Sequence, residues 1–169
     1  KANEQLAKEN ARLRERKEGL TGKTPDKVIK VNDTIYDQQY FYQKAKVINS
    51  SISRQNNYIT LYKGKTDGIE QDMGVIGPNG IVGIVKNVSD HFATVLPVLN
   101  TNFYASVKLK RTNDFGLLEW HGDNPTKAKM VDVAKHANVR EGDTVISRGS
   151  STIFPEGIPV GVIDDFSLE

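Results

Sequence analysis

The sequence predicts a mainly β protein of the sandwich or barrel class, preceded by one leucine-spaced helix. Three observations carry this. From Tyr40 onward, short apolar segments alternate with turn residues. Most of the 14 glycines fall between Gly64 and Gly83 or between Gly142 and Gly161, a clustering that suits β-turns and barrel corners. The first 20 residues contain no proline and carry leucine at every seventh position.

The helix is expected over residues 1–22. Ala, Leu, Glu, Lys and Arg dominate it, all good helix formers. Leu6, Leu13 and Leu20 take the d positions of a heptad, which puts Asn3, Asn10 and Lys17 at a. Glu9 at g and Arg14 at the following e have the spacing of an interhelical ion pair, and a buried Asn10 specifies register and a two-stranded state. The alternative is one amphipathic helix lying on the β region. Its other apolar positions are mostly Ala, so the stripe is one leucine wide, which favours a coiled-coil dimer through Leu6, Asn10, Leu13 and Leu20. Two to three heptads are marginal alone, so further heptads are expected upstream.

Residues 23–39 mix turn formers with short apolar pieces and read as a linker with little regular structure. Ten strands are expected beyond it: 45–53, 58–63, 73–76, 81–88, 94–99, 104–109, 116–120, 128–133, 144–147 and 159–164. Their breakers include Asn56-Asn57, Asp67-Gly68, Glu141-Gly142-Asp143 and Pro155-Glu156-Gly157. Pro78-Asn79-Gly80 is the clearest hairpin turn, because Asn-Gly readily takes positive φ. A first β domain is placed at 40–100 and a second at 101–169, divided at Asn100-Thr101-Asn102, with a return of the last strand to the first domain as the alternative.

The 169 residues allow one ordinary domain, or two small ones plus a helix. The net charge of +2 does not call for nucleic acid. Residues 1–27 hold eight Lys/Arg against five Asp/Glu, so the basic excess belongs to the helix and linker. Lys108, Lys110 and Arg111 near Phe103 and Tyr104 form the one basic cluster with aromatics, read as a solvated strand end. No apolar run approaches the roughly 18 residues of a membrane span. The chain starts at Lys1 inside helical pattern, and the expectation is a piece of a longer protein with a membrane anchor upstream.

With no cysteine, disulfides, thiolate metal sites and cysteine catalysis are excluded. Gly22-Lys23-Thr24 lacks the earlier glycine and the preceding strand of a phosphate loop. His91, His121 and His136 show no metal-ligand spacing, so no metal and no cofactor are expected. Ser147, Ser150 and Ser151 near Gly149, with Asp90-His91 as a source of base, are the candidate hydrolase set. The loop around them lacks the acidic residue and glycine pair that shape a serine-protease oxyanion hole, so no enzyme is expected.

Two stretches carry a resemblance. The first runs Asn57-Tyr-Ile-Thr-Leu-Tyr-Lys-Gly64, Asp67-Gly-Ile69, Met73-Gly-Val-Ile76 and Gly80-Ile-Val-Gly-Ile-Val85; the second runs Gly142-Asp-Thr-Val-Ile-Ser147 and Phe154-Pro-Glu-Gly-Ile-Pro-Val-Gly161. Together, and in this order, they resemble the rod-shape-determining MreC family. One departure is visible: the family's Thr-Ser-Gly stands here as Ser147-Arg148-Gly149, which puts a long cation where a small hydroxyl residue is usual and leaves open whether a local contact surface changes.

The resemblance implies two small β-barrels, chymotrypsin-like without the catalytic triad, behind a coiled coil. It implies a non-enzymatic scaffold of the cell-elongation machinery, on the periplasmic or extracytoplasmic face of the inner membrane, anchored by an upstream transmembrane helix. Implied partners are a second copy, the elongation-specific penicillin-binding transpeptidase, MreD and, across the membrane, MreB. The alternatives are a cryptic serine-type hydrolase and a passive cell-wall-binding module. Within the second motif, Phe154, Pro155, Gly157 and Ile158 are candidates for partner contact or for structure; an exposed apolar ridge and barrel core are both open, with core favoured.

Overall fold

In the computed structural model, residues 29–33 and 38–167 are described. Two strands come first. β1 (Ile29–Asp33) and β2 (Gln38–Tyr42) form an antiparallel hairpin, in register from Ile29 opposite Tyr42 to Asp33 opposite Gln38. Within the segment 23–39 expected to be an irregular linker, residues 29–33 and 38–39 are therefore in strands. The apolar alternation of Ile29 and Val31 is short and bounded by Asn32-Asp33, so it is easily overlooked beside so many turn formers. The expected coiled-coil positions Leu6, Asn10, Leu13 and Leu20 lie outside the described residues.

The chain from Ala45 onward forms a unit of its own. Its first sheet contains β3 (Val47–Ser50), β4 (Ile59–Leu61), β5 (Gly74–Gly77), β6 (Gly80–Val88) and β7 (Ala93–Pro97), in the order β3-β4-β7-β6-β5. Its second sheet contains β8 (Tyr104–Leu109), β9 (Phe115–Glu119), β10 (Lys129–Val131), β11 (Thr144–Ser147) and β12 (Pro159–Val162), in the order β10-β9-β8-β11-β12. All ten strands read from the alternation of this region are present, and every pairing is antiparallel. β12 pairs with β11 in the second sheet.

The cores follow from side-chain alternation. β6 and β7 send Val85, Ala93 and Val95 to one face, where they meet Leu61 and Ile69. Ile84 and Leu96, one position away, go to the opposite face and pack against Phe103, Ala105, Val107, Leu109, Leu118 and Val145 of the second core. Ile81 and Val98 join them. Register shifts in β3, β5, β6 and β11 bend the strands so that both faces of β6 and β7 can be covered.

One turn expectation changes in detail. The β5–β6 hairpin has Pro78-Asn79 as its loop, but positive φ falls on Gly80 (φ 133°) and not on Asn79. Gly80 is required twice over, since a Cβ there would lie 1.9 Å from the Pro159 carbonyl oxygen. Gly64 and Gly68 bracket the short turn at Lys65–Asp67, a place where glycine commonly takes positive φ. Only Gly68 has it (φ 81°); Gly64 is extended and serves the close approach of the Ser89 carbonyl, 2.3 Å from a Cβ there.

Between the sheets the chain is tied down by amides. Asn57 and Asn100 are fully buried. The Asn57 side-chain NH2 donates to the carbonyls of Arg54 (2.6 Å) and Leu99 (2.7 Å), and Asn100 donates to the Asn57 carbonyl (2.8 Å). Among the described residues, every buried side-chain nitrogen and oxygen has a partner.

Candidate functional site

The outer face of the second sheet is built by strict alternation. In β8, Ala105, Val107 and Leu109 point into the core, so Tyr104, Ser106 and Lys108 face outward. In β9, Leu118 points inward and Phe115, Leu117 and Glu119 outward. The register sets Tyr104 opposite Glu119, Ser106 opposite Leu117 and Lys108 opposite Phe115. β10 adds Val131 beside Leu117 and Lys129 beside Glu119. Tyr104 (54% exposed), Phe115 (52%) and Leu117 (37%) thus form an apolar strip that is largely open to solvent.

The rim of the strip is charged and ordered. The Arg148 guanidinium lies 3.7 Å from the centroid of the Phe115 ring, a cation–π contact of about 0.5–1 kcal/mol at an exposed site. Lys108 forms an ion pair with Glu156. His121 Nε2 stands 2.6 Å from Glu119 Oε1. Cation-stacked aromatics inside a polar rim are the composition of protein-contact surfaces.

Arg148 and Glu156 belong to the loop between β11 and β12, which holds the second motif. Ser147, 1% exposed, organises it: its hydroxyl donates to the Pro155 carbonyl (2.5 Å) and accepts from the Ile158 N–H (2.8 Å). Its backbone N–H donates to the Ile158 carbonyl (2.9 Å), and its carbonyl accepts from Gly157 (3.1 Å). Phe154 and Ile158 are buried at 5% and 8%, Pro155 is half-buried and Gly157 is exposed. Phe154 and Ile158 therefore lie in the interior, and the exposed large apolar residues of the second sheet are instead Tyr104, Phe115 and Leu117, with Val162 on β12. In the sequence Tyr104 reads as part of a solvated strand end, and Phe115 and Leu117 as ordinary strand residues; the signal is three large apolar side chains on the polar parity of two paired strands.

Three of the candidate hydrolase residues, Ser147, Ser150 and His91, have hydrogen-bond partners outside any shared site. The Ser147 hydroxyl is held by the loop, and Ser150 Oγ lies 3.4 Å from Ser106 Oγ. His91 Nδ1 lies 3.3 Å from Thr66 Oγ1, in the first sheet's β6–β7 turn. Neither Ser147 nor Ser150 is hydrogen-bonded to His91. Among the described residues, no group of three or more His, Asp or Glu converges to hold a metal ion.

The basic cluster is largely neutralised. Arg111 donates to both carboxylate oxygens of Asp143 at 2.7 Å, and Arg140 N–H donates to the same carboxylate (2.9 Å). The Arg111 hydrogen bonds hold the Asp143 carboxyl below its ordinary value, with help from the Arg140 amide, and Asp143 in turn raises Arg111.

Comparison with known proteins gives one answer. The family model described as rod shape-determining protein MreC, barrel core, matches residues 47–169. The cell shape-determining protein MreC of Listeria monocytogenes is 27% identical over 171 residues, covering 92% of this chain and 57% of its own length. The chain thus spans little more than half of that relative. The crystal structure of MreC from Pseudomonas aeruginosa superposes with a TM-score of 0.65 at 26% identity, over 83% of this chain and 81% of that one. The major periplasmic domain of a cell shape-determining filament MreC superposes at 0.58 and 25% identity, over 70% and 73%. In fold alone, the MreC of a Helicobacter pylori complex between penicillin-binding protein PBP2 and MreC matches at 0.55 and 17% identity, over 72% and 79%.

Proposed function

The chain belongs to the rod shape-determining MreC family, and from that premise we propose that it is a non-enzymatic scaffold of the bacterial cell-elongation machinery. Its action is to bind, and so regulate, a peptidoglycan transpeptidase. The observation that carries this reading is the exposed Tyr104–Phe115–Leu117 strip with its Arg148 and Lys108–Glu156 rim. A relative of this fold occurs in complex with a penicillin-binding protein, which supports a partner of that class.

In this reading each five-stranded sheet, curled by its bulges, is one small barrel of a chymotrypsin-like pair without a triad. The N-terminal heptads form a coiled-coil dimer that sets the barrels at a height above the membrane, and a transmembrane helix precedes them in the whole protein. The chain works on the extracytoplasmic face; MreD and MreB are partners of the whole protein, and further self-assembly runs through the barrels.

The test is a pull-down of the purified chain against the transpeptidase ectodomain of the same organism. Retention by the wild type, lost in Phe115→Asp at unchanged circular dichroism, is the expected result. A folded wild-type chain that retains no transpeptidase, or hydrolysis of peptidoglycan or casein that Ser150→Ala abolishes, contradicts it.

A further inference from the structure

The β11–β12 loop touches two places at once. On one side, Phe154 is seated on β5 of the first sheet: a Cβ at Gly74 would lie 2.7 Å from Phe154 Cε1 and 2.5 Å from the Ile153 carbonyl oxygen. The same limb ends where Pro159 crosses Gly80. On the other side, Arg148 stacks on Phe115, and Glu156 pairs with Lys108 on the exposed strip. Arg148 N–H also donates to the Ser106 carbonyl of β8 (3.1 Å). Between the two sides stands Ser147, whose four hydrogen bonds to Pro155, Gly157 and Ile158 leave the loop little freedom to move in parts.

We propose that residues 147–159 act as a strap that couples the β5–β6 hairpin of the first sheet to the exposed face of the second, with Ser147 as its positioning residue. A shift of Phe154 on Gly74 moves Pro155 and Glu156, and through the Ser147 clamp it moves Arg148. The face therefore has its full geometry only while the strap is seated on the first sheet. Conversely, whatever binds over Phe115 and Arg148 tightens the seating of Phe154, because coupling between two sites is reciprocal. That this face meets a partner rests on the function proposed above; the coupling itself is a property of the isolated chain and is measured without a partner.

The experiment uses the whole chain, observed by NMR and amide exchange. Gly74→Ala perturbs the strap from the first sheet, far along the chain from the face. It is expected to shift the Phe115 ring and Arg148 side-chain signals and to speed exchange at the Arg148 and Ile158 amides about tenfold. Phe154→Leu, which empties the same seat without adding an atom to β5, is expected to do the same and serves if Gly74→Ala does not fold. Leu61→Val weakens the first core without touching the strap and is expected to leave Phe115 and Arg148 at their wild-type positions. Shifts confined to β5 and β6 in both strap variants, or equal shifts in Leu61→Val, overturn the proposal. Loss of transpeptidase binding with the coupling intact counts against the partner reading alone.

Discussion

The two sheets have the same number of strands but differ in what their cores are made of. The first core is filled by the first sheet's own residues: Leu61, Ile69, Val85, Ala93 and Val95 are met by Ala45, Ile59, Val75 and Val88. The second core is completed from outside, by Ile81, Ile84, Leu96 and Val98 of the first sheet. The alternation of β6 and β7 makes this possible, since Val85 and Val95 serve one core while Ile84 and Leu96 serve the other. The second sheet can then leave one face bare, because its inner face is buried by a neighbour. Both sheets show aromatics to solvent, and the second does so on the face opposite its borrowed core.

The severest way to break this comparison is to separate the sheets. Residues 101–167 alone are expected to lose cooperative folding, because the loan of Ile81, Ile84, Leu96 and Val98 is withdrawn. Trp120, buried and bonded through Nε1 to the Asn124 carbonyl, reports it by fluorescence in denaturant. A cooperative transition in the isolated piece would show that the borrowed side chains are dispensable.

Next in size is the centre of the second core. Phe103 is fully buried, and Phe103→Ala is expected to cost about 3–5 kcal/mol in urea unfolding. If the cores are joined as described, the transition stays single and β4–β7 amides lose exchange protection with β8–β11. Two separate transitions would show that the sheets are independent.

The joint between the sheets ranks third. Asn57→Ala leaves the Leu99 and Arg54 carbonyls without their donor and is expected to cost about 1–3 kcal/mol. An exposed amide such as Asn87→Ala is expected to stay within about 0.5 kcal/mol. Equal effects at the two positions would remove the joint from the account.

The smallest effect is electrostatic. Asp143 is held below its ordinary pKa by Arg111, so its contribution is present above the unfolded value near pH 3.9 and is lost as pH falls through the depressed native value. Arg111→Met is therefore expected to be less stable than wild type at neutral pH, with a gap that is constant down to about pH 5 and closes on further acidification. A gap of the same size at pH 3 and pH 7 would mean that Arg111 acts through packing alone.

The strands were legible because alternation and turn residues are local signals. β8 and β11 run over the very residues expected, 104–109 and 144–147. What was hidden is long-range. Nothing near Thr144 says that β11 lies beside β8 and not beside β10. Asn57 and Asn100 look like turn formers until their partners 42 and 43 residues away are known. The Phe154–Ile158 motif was legible as a feature, but its seat on Gly74 depends on a residue in the other sheet. Arg148 stands out in the sequence as a long cation where a small hydroxyl residue is usual; its partner, Phe115, becomes visible only once β9 and the loop are brought together.

The most direct measurement compares the two exposed faces in one assay. The first sheet also shows aromatics, Tyr62 and Phe92, with ring centroids 5.4 Å apart. Titration calorimetry of the transpeptidase ectodomain with the wild-type chain, Phe115→Asp and Tyr62→Asp separates the faces. The account predicts that Phe115→Asp weakens binding about tenfold or more while Tyr62→Asp stays within about twofold of wild type. Weakening by Tyr62→Asp with Phe115→Asp unaffected would contradict it and move the docking surface to the first sheet.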